Sequence, residues 1–234
     1  MVKFSIITVC LNSEKTVKRC LDSVYNQTFK DFEHIIIDGL SKDNTLQVVK
    51  DYNVSLCISE KDKGIYDAMN KGIYFAKGEY VLFLNSDDEL LPNFLLESNE
   101  LLKGEDFLSS SINMCFENEN KRWNVKPINN IDFIWQMPMP HAGLIVKKNV
   151  INSIGGFDLN FKITSDFDFI VKLLKGKYIG VYNNNCLFNF YMGGVSQNYK
   201  VVKDNHRVRI KHFNNLIYIY LAYFLDNLRY LKNN

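Results

Sequence analysis

The sequence predicts an α/β fold: a mostly parallel central sheet flanked by helices, with a helical segment at the C-terminal end. Three observations carry this. Short β-branched or aromatic runs alternate with amphipathic stretches through the first hundred residues. A chain of 234 residues that is 47% hydrophobic and 14% aromatic can bury a sizeable core. No internal repeat or low-complexity linker marks off a second independent domain.

Taken in order, KFSIITVC (3–10), FEHIIID (32–38), VSLCIS (54–59) and EYVLFLN (79–85) read as strands. Amphipathic stretches near 14–28, 44–52 and 65–76 separate them as helices. Such β-α alternation predicts a parallel, doubly wound sheet with ligands outside the carboxyl ends of its strands. The polar residues at those ends are Asn12 to Glu14, Asp38, Glu60 to Asp62, and Asn85 to Glu89, so one rim collects most of the chemistry. In the second half, DFLSSSINMCFE, KRWNV and HAGLIVKK read as strands, as do KYIGVYN and CLFNFYMGG. TSDFDFIVKLLKG reads as a helix capped by Thr164 or Ser165.

Charge and cysteine usage narrow the class. A net charge of +2 gives no reason to expect nucleic-acid binding. It is unevenly placed: from Lys203 onward six basic residues face two acidic ones, a net of +4, which leaves −2 for residues 1–202. The five cysteines are scattered, mostly in apolar runs, and lack C-x-x-C spacing, so they read as reduced thiols of a cytosolic protein. The N-terminus is apolar for only about eight residues and behaves as a first strand, not a signal peptide. No run of 18 apolar residues exists that would span a membrane.

The acidic cluster in VLFLNSDDEL poses the chemical question. Taken alone, NSDDEL is an ordinary solvated turn at a strand end. Grouped carboxylates are also hard oxygen ligands for Mg²⁺ or Mn²⁺, usually completed by phosphate oxygens and water. A Mg²⁺-dependent phosphatase of the haloacid dehalogenase type would carry its aspartates after the first strand, whereas these follow the fourth. A sugar nucleotidyltransferase would need a Gly-rich, basic phosphate loop after the first strand, and VCLNSEKT is not one.

With FSIITVCLN, SVYNQTFKDFEHIIIDGLSKDNT, SEKDKGIYDAMNKGIYFAKGEYVLFLNSDD, PHAGLIVKK, GGFD and ITSDFDFIVKL in that order, the sequence closely resembles the family 2 glycosyltransferases over roughly residues 3–200. The resemblance implies a GT-A (Rossmann-like) fold. It also implies inverting, Mn²⁺- or Mg²⁺-dependent transfer of a sugar from a nucleotide-sugar donor, a UDP-hexose or UDP-N-acetylhexosamine. The acceptor it implies is a saccharide, free or polyprenyl-diphosphate-linked, as in bacterial O-antigen or capsule biosynthesis. It divides the chain into a catalytic domain, 1–202, and a basic amphipathic segment, 203–234. The nucleotide-binding part covers about 1–105 and the acceptor-binding part about 106–202.

Carried over position by position, the resemblance places Asp87 and Asp88 on the metal and diphosphate, with Asn85 where the family often has Asp. Asp38 falls on the residue that accepts from the nucleotide base, and Gly39 stands where a second Asp is frequent. Read locally, Asp38 is also a turn cap for Ser41 and Asp43. Thr8, Asn12, Glu60, Asp62, Lys63, Gly64, Asp67, Asn70, Asn85 and Ser86 complete the nucleotide-sugar group. Gly64 permits close backbone approach before a helix whose N-terminus offers N–H groups to an anion.

Inverting transfer needs a general base for the acceptor hydroxyl, and the resemblance puts it at Asp166. A carboxylate there also suits the helix dipole. His141 and Asp168 are placed on the acceptor side, each with a structural role as the plainer reading. The loop YMGGVSQN lacks the metal-binding His of some relatives and reads as a mobile lid. The C-terminal segment fits a helix packed on the core or a homodimer contact in composition, and a lipid-linked acceptor tilts the reading to contact with the inner face of the cytoplasmic membrane. Asn85 and Gly39 motivate one reading from another class, a sugar-nucleotide-binding or assembly subunit without turnover.

Overall fold

The first strand, β1 (Phe4–Cys10), is buried along its whole length, which is why its apolar run shows no polar alternation. It lies at the heart of a computed structural model that describes residues 2–127, 135, 137–192 and 199–233. After it come α1 (Val17–Tyr25), β2 (Phe32–Asp38), α2 (Thr45–Lys50), β3 (Leu56–Ser59), α3 (Ile65–Phe75) and β4 (Tyr80–Asn85). Strand pairs β1–β2, β2–β3 and β1–β4 are all parallel, as the alternation requires.

The second half continues with β5 (Glu89–Leu90), α4 (Phe94–Leu101), β6 (Phe107–Ser110), β7 (Ile112–Cys115), β8 (Asn120–Trp123), β9 (Leu144–Lys147) and α5 (Lys148–Ile154). It ends with α6 (Ser165–Lys175), β10 (Gly180–Asn183), β11 (Phe188–Tyr191), α7 (Lys200–His212) and α8 (Leu216–Asn233). The large sheet has seven strands in the order β10-β6-β9-β4-β1-β2-β3, and only β9 runs against its neighbours. A second sheet, in the order β5-β11-β7-β8, packs beside it. The lone antiparallel strand brings its amino end between the carboxyl ends of β6 and β4, so His141, three residues before β9, approaches the same rim as Asn85.

Two apolar layers sandwich the large sheet. One contains Ile7, Ile37, Phe83, Phe157 and Phe169 under α3 and α6, the other Phe4, Leu82, Leu84, Phe94 and Phe188. Phe188, Phe190, Ile112, Met114 and Trp123 alternate along β11, β7 and β8 to give the small sheet one core-facing side. Burial of these aromatic and aliphatic faces is the main favourable term holding the two sheets together.

The run DFLSSSINMCFE is two strands in different sheets. Ser111 makes the break: its N–H donates to Asn183 O at 2.8 Å and its hydroxyl accepts from Val125 N at 3.0 Å. Helices α4 and α5 were not anticipated; neither is longer than eight residues, too short to show a clear period. Thr164 occupies the cap position of α6, but neither its hydroxyl nor that of Ser165 makes a hydrogen bond, contrary to the expected side-chain cap.

The C-terminal segment is a hairpin of two helices. Arg209 of α7 is 1% exposed and pairs with Asp226 of α8 at 2.7 Å, while Val208 packs on Phe161 and Phe167. On α8, Ile219 and Ala222 are buried whereas Leu216, Ile217, Tyr220, Leu221, Phe224, Leu228 and Leu231 are exposed. No helix among the described residues is long and apolar enough to cross a membrane.

Candidate active site

The carboxyl ends of β1 to β4 and the amino end of β9 share one rim. The loop after β1 forms a wall there. Asn12 adopts φ 52°, donates its N–H to Ser41 Oγ at 2.8 Å and accepts from Lys42 N at 2.9 Å. Ser13 Oγ lies 2.8 Å from Ser86 Oγ, which ties this wall to the acidic segment. Thr8 is not part of the rim: it is buried two residues inside β1, where its hydroxyl meets His34 Nε2 at 3.0 Å and Cys20 Sγ at 3.7 Å.

Asp38 is completely buried at the end of β2. Its Oδ2 accepts from Ser41 N at 3.0 Å and Ser59 Oγ at 2.6 Å, whereas Oδ1 is buried without a partner. The turn-cap reading therefore uses only one oxygen. A buried acceptor left unpaired costs about 1–3 kcal/mol, and a ligand N–H would remove that cost.

Beside it, a side chain on Gly39 would place its Cβ 3.0 Å from Asp62 Oδ2. Asp62 thus fills the space of the residue that Gly39 lacks, and a second carboxylate reaches the pocket from the β3–α3 loop. Lys71 gathers this loop, pairing with Asp62 at 2.5 Å, Glu60 at 2.9 Å and Asp67 at 3.8 Å. Asp67 also accepts from Lys63 N at 2.9 Å, and Gly64, at φ 126°, starts α3 in a conformation that side chains resist. Asn70 does not serve a ligand in this arrangement. Its amide clasps Phe157 through both N–H and C=O, at 2.9 and 3.0 Å, fixing the GGFD turn.

At the end of β4, Asp87 is half-buried and Asp88 wholly buried. Asp88 accepts from Asn85 Nδ2 at 3.1 Å and Tyr191 N at 3.0 Å. Burial, with Asp87 beside it, pushes the Asp88 carboxyl up to about 8, and burial raises Asp87 too. Arg19 of α1 donates to the Asp87 carbonyl at 2.5 Å and stacks 3.6 Å from the Tyr191 ring centre. Neither Arg19 nor Lys71 stood out in the sequence, where each looks like one more cation on an amphipathic helix.

Asp166, in the first turn of α6, accepts from Tyr66 Oη at 3.0 Å and Phe167 N at 2.9 Å, both on Oδ1. Burial lifts its pKa to about 6. Tyr66, whose single hydroxyl proton is shared between Asp166 and Ile163 O at 2.7 Å, stacks on Phe157 and so joins α3 to this helix. Asp168 departs from its expected acceptor-side place. It is fully buried and ringed by Lys211 at 2.7 Å, His212 at 2.7 Å and Lys172 at 3.2 Å, which hold its pKa down to about 2 and fasten α7 to α6. His141 is caged by Phe83, Phe157 and Phe169, its Nε2 has no partner, and burial lowers its pKa to about 4. Gly193, Gly194, Ser196 and Gln197 of the expected lid lie outside the described residues.

Residues 5–164 match the family model for glycosyl transferase family 2. The chain belongs to that family. Among curated relatives of this glycosyltransferase, a PGL/p-HBAD biosynthesis glycosyltransferase of Mycobacterium bovis is 29% identical over 204 residues, covering 84% of this chain and 76% of the relative. An uncharacterized glycosyltransferase of Haemophilus influenzae is 28% identical over 212 residues, covering 82% and 70%. Among solved structures, S. aureus TarS superposes with a TM-score of 0.74 at 21% identity, over 89% of this chain and 39% of that one. TarS 1–349 in complex with UDP-GlcNAc gives 0.73 at 21% identity, over 94% and 70%. The mannosyltransferase PcManGT of Pyrobaculum calidifontis, in complex with GDP-Man and Mn²⁺, gives 0.63 at 17% identity, over 97% and 64%. These neighbours share the GT-A fold, which the glycosyltransferase described above adopts.

The donor set at the end of β4 suits a hard divalent cation. Two carboxylates and Asn85 Oδ1, which is buried without a partner, are all oxygen ligands. Among the described residues no three His, Cys, Asp or Glu side chains converge as a closed cage. Diphosphate oxygens and water would therefore complete the shell, as is usual for Mg²⁺ and Mn²⁺.

Proposed function

We propose that this glycosyltransferase moves a hexose or N-acetylhexosamine from a UDP-sugar to a saccharide acceptor with inversion, assisted by Mn²⁺ or Mg²⁺, in surface polysaccharide or glycolipid assembly. The observation that carries the reading is the division of labour along one rim. Asp38 keeps an unmet acceptor for a base N–H, Asn85, Asp87 and Asp88 group hard oxygens, and Asp166, pushed up to about 6 by burial, keeps Oδ2 without a hydrogen bond among the described residues. The complexes of TarS with UDP and UDP-GlcNAc support the choice of donor, and that of PcManGT with GDP-Man and Mn²⁺ supports a divalent cation beside a nucleotide-sugar.

In the mechanism, Asp38 and Asp62 define the base pocket, and the wall from Asn12 to Ser13 positions the segment Asn85 to Asp88 against the diphosphate. A divalent cation, when bound, neutralises charge on the leaving diphosphate. Asp166 Oδ2 takes the proton of the attacking hydroxyl while Tyr66 and the Phe167 N–H hold Oδ1, so the carboxylate cannot swing away. Lys71 keeps the acidic β3–α3 loop from repelling the donor.

A thermal-shift screen of UDP-sugars with Mn²⁺ tests the donor. At a hundredfold excess over Kd a donor adds about 2.7 kcal/mol, so UDP-GlcNAc or a UDP-hexose is expected to raise Tm by several degrees and GDP-mannose is not. No shift with any UDP-sugar would sink the donor assignment.

The exposed face of α8 supports contact with a membrane surface, where a lipid-linked acceptor would lie. Its apolar stripe is bordered by exposed Arg229, while Asp226 is turned inward on Arg209. Flotation with anionic vesicles is expected for the wild type and not for Phe224→Asp. Dimerisation without vesicle binding would instead assign the stripe to a second copy.

A further inference from the structure

The small sheet carries a row of polar side chains that the donor site does not use. Glu89 of β5 pairs in register with Asn189 of β11, Asn189 with Asn113 of β7, and Asn113 with Arg122 of β8. One line of side chains therefore crosses all four strands. Because their neighbours Leu90, Phe188, Ile112 and Trp123 face the core, these four lie on the opposite side of the sheet. Glu89, Asn113 and Asn189 are half-buried and Arg122 is exposed. At about 4.8 Å between strands the row is roughly 14 Å long.

The row is organised in one direction. A carboxylate only accepts, so Asn189 must donate to Glu89 Oε2, at 2.9 Å, and its carbonyl then accepts from Asn113 Nδ2 at 2.9 Å. That chain, with a second bond from Asn113 Nδ2 to Cys186 O at 3.3 Å, fixes every amide and leaves Glu89 Oε1 and Asn113 Oδ1 without a hydrogen bond among the described residues. Tyr191 stands next to the row, donating to Glu89 Oε2 at 3.2 Å, and Arg19 covers its ring. The row ends at Glu89, directly after Asp88, and Tyr191 N bonds Asp88 itself. It is thus a pre-ordered strip of amide and carboxylate groups that leads to the candidate cation-binding segment, flanked on β8 by Arg122, whose guanidinium donates to Asn184 O.

We propose that this strip binds the acceptor as an extended glycan. Fixed planar polar groups in a row are the chemistry that recognises sugar hydroxyls, and a row of this length accommodates about three linked pyranoses, one for each strand spacing. The platform rests on the transferase reading, to which it adds an acceptor class: a linear oligosaccharide gripped several sugars from the reacting hydroxyl. Nothing in it requires a lipid.

The test uses the full chain with UDP and Mn²⁺ present, and titrates cellotetraose, chitotetraose and mannotetraose against the matching methyl monosaccharides by calorimetry. At least one tetrasaccharide is expected to bind tenfold or more tighter than its monosaccharide. Asn113→Ala and Arg122→Ala are expected to abolish that gain while leaving the UDP-sugar thermal shift as in the wild type. Tetrasaccharides that bind no tighter than monosaccharides, or variants that keep the gain, overturn the platform. Loss of the UDP-sugar shift in the wild type overturns the transferase reading instead, so the two failures are distinguishable. Arg122 is exposed, so its removal reports on binding even if Asn113→Ala fails to fold.

Discussion

Asp166→Asn is expected to lower kcat about 10²- to 10⁴-fold, the range that a positioned general base contributes, while UDP-sugar binding and the fold survive. Asn keeps an oxygen for the Tyr66 hydroxyl and the Phe167 N–H, and loses only the second oxygen, the one that would receive the proton. The wild-type rate should fall as pH drops through about 6, since the base must be ionised and burial has raised its pKa to that value. The stability effect runs the other way. A folded-state pKa raised above its ordinary 3.8 means that the folded chain prefers the protonated acid, so this group's stabilisation is full below about pH 3.8 and is lost as pH rises through about 6. Above that, the ionised acid costs up to roughly 3 kcal/mol. Asp166→Asn should therefore melt no lower than wild type at pH 7.5, and higher if the full cost is present. A variant that is inactive because it is destabilised would contradict the assignment, as would a wild-type rate flat from pH 5 to 8.

Strands β1, β2 and β4 were legible because buried parallel strands leave apolar runs, the half-exposed edge strand β3 as a short β-branched run, and the rim followed from topology. Asp38 and Asp87 lie on that rim at the ends of β2 and β4, whereas Asp166 was singled out by the family resemblance. The remainder depends on contacts far apart in sequence. Asp168 and Asp166 share one short motif, yet Lys211 and His212, more than forty residues on, turn Asp168 into a structural anchor. Asn70 resembles a ligand on a helix face until Phe157 claims its amide. Gly39 looks like a lost carboxylate, but Asp62 from another loop occupies the gap. The polar row on the small sheet is invisible in sequence because its four members are single residues on four strands, brought together by register.

Asp87→Asn is expected to lower kcat/KM for the donor about 10²-fold or more, the loss of several kcal/mol that goes with impaired metal assistance, and to raise the Mn²⁺ half-saturation at least tenfold. Asp88→Asn should cost less, about 10- to 100-fold, as for residues that support a ligand. The difference follows from exposure. Asp87 is half-open at the rim with its backbone pinned by Arg19, whereas Asp88 is fully buried with its oxygens on Asn85 and Tyr191. Neither change should destabilise the fold, because burial already penalises both charges. In Asp88→Asn the new amide N–H₂ would meet the Asn85 N–H₂; a flip of Asn85 presents its unpartnered Oδ1 and restores the bond, but withdraws that oxygen from the cation, which accounts for the smaller loss expected. Steady-state kinetics across Mn²⁺ concentration, with melting curves, separate the two carboxylates. If Asp88→Asn shifts the Mn²⁺ dependence more than Asp87→Asn does, the buried carboxyl is the principal ligand and the rim must open to admit the cation; if neither shifts it, the oxygen cluster is structural.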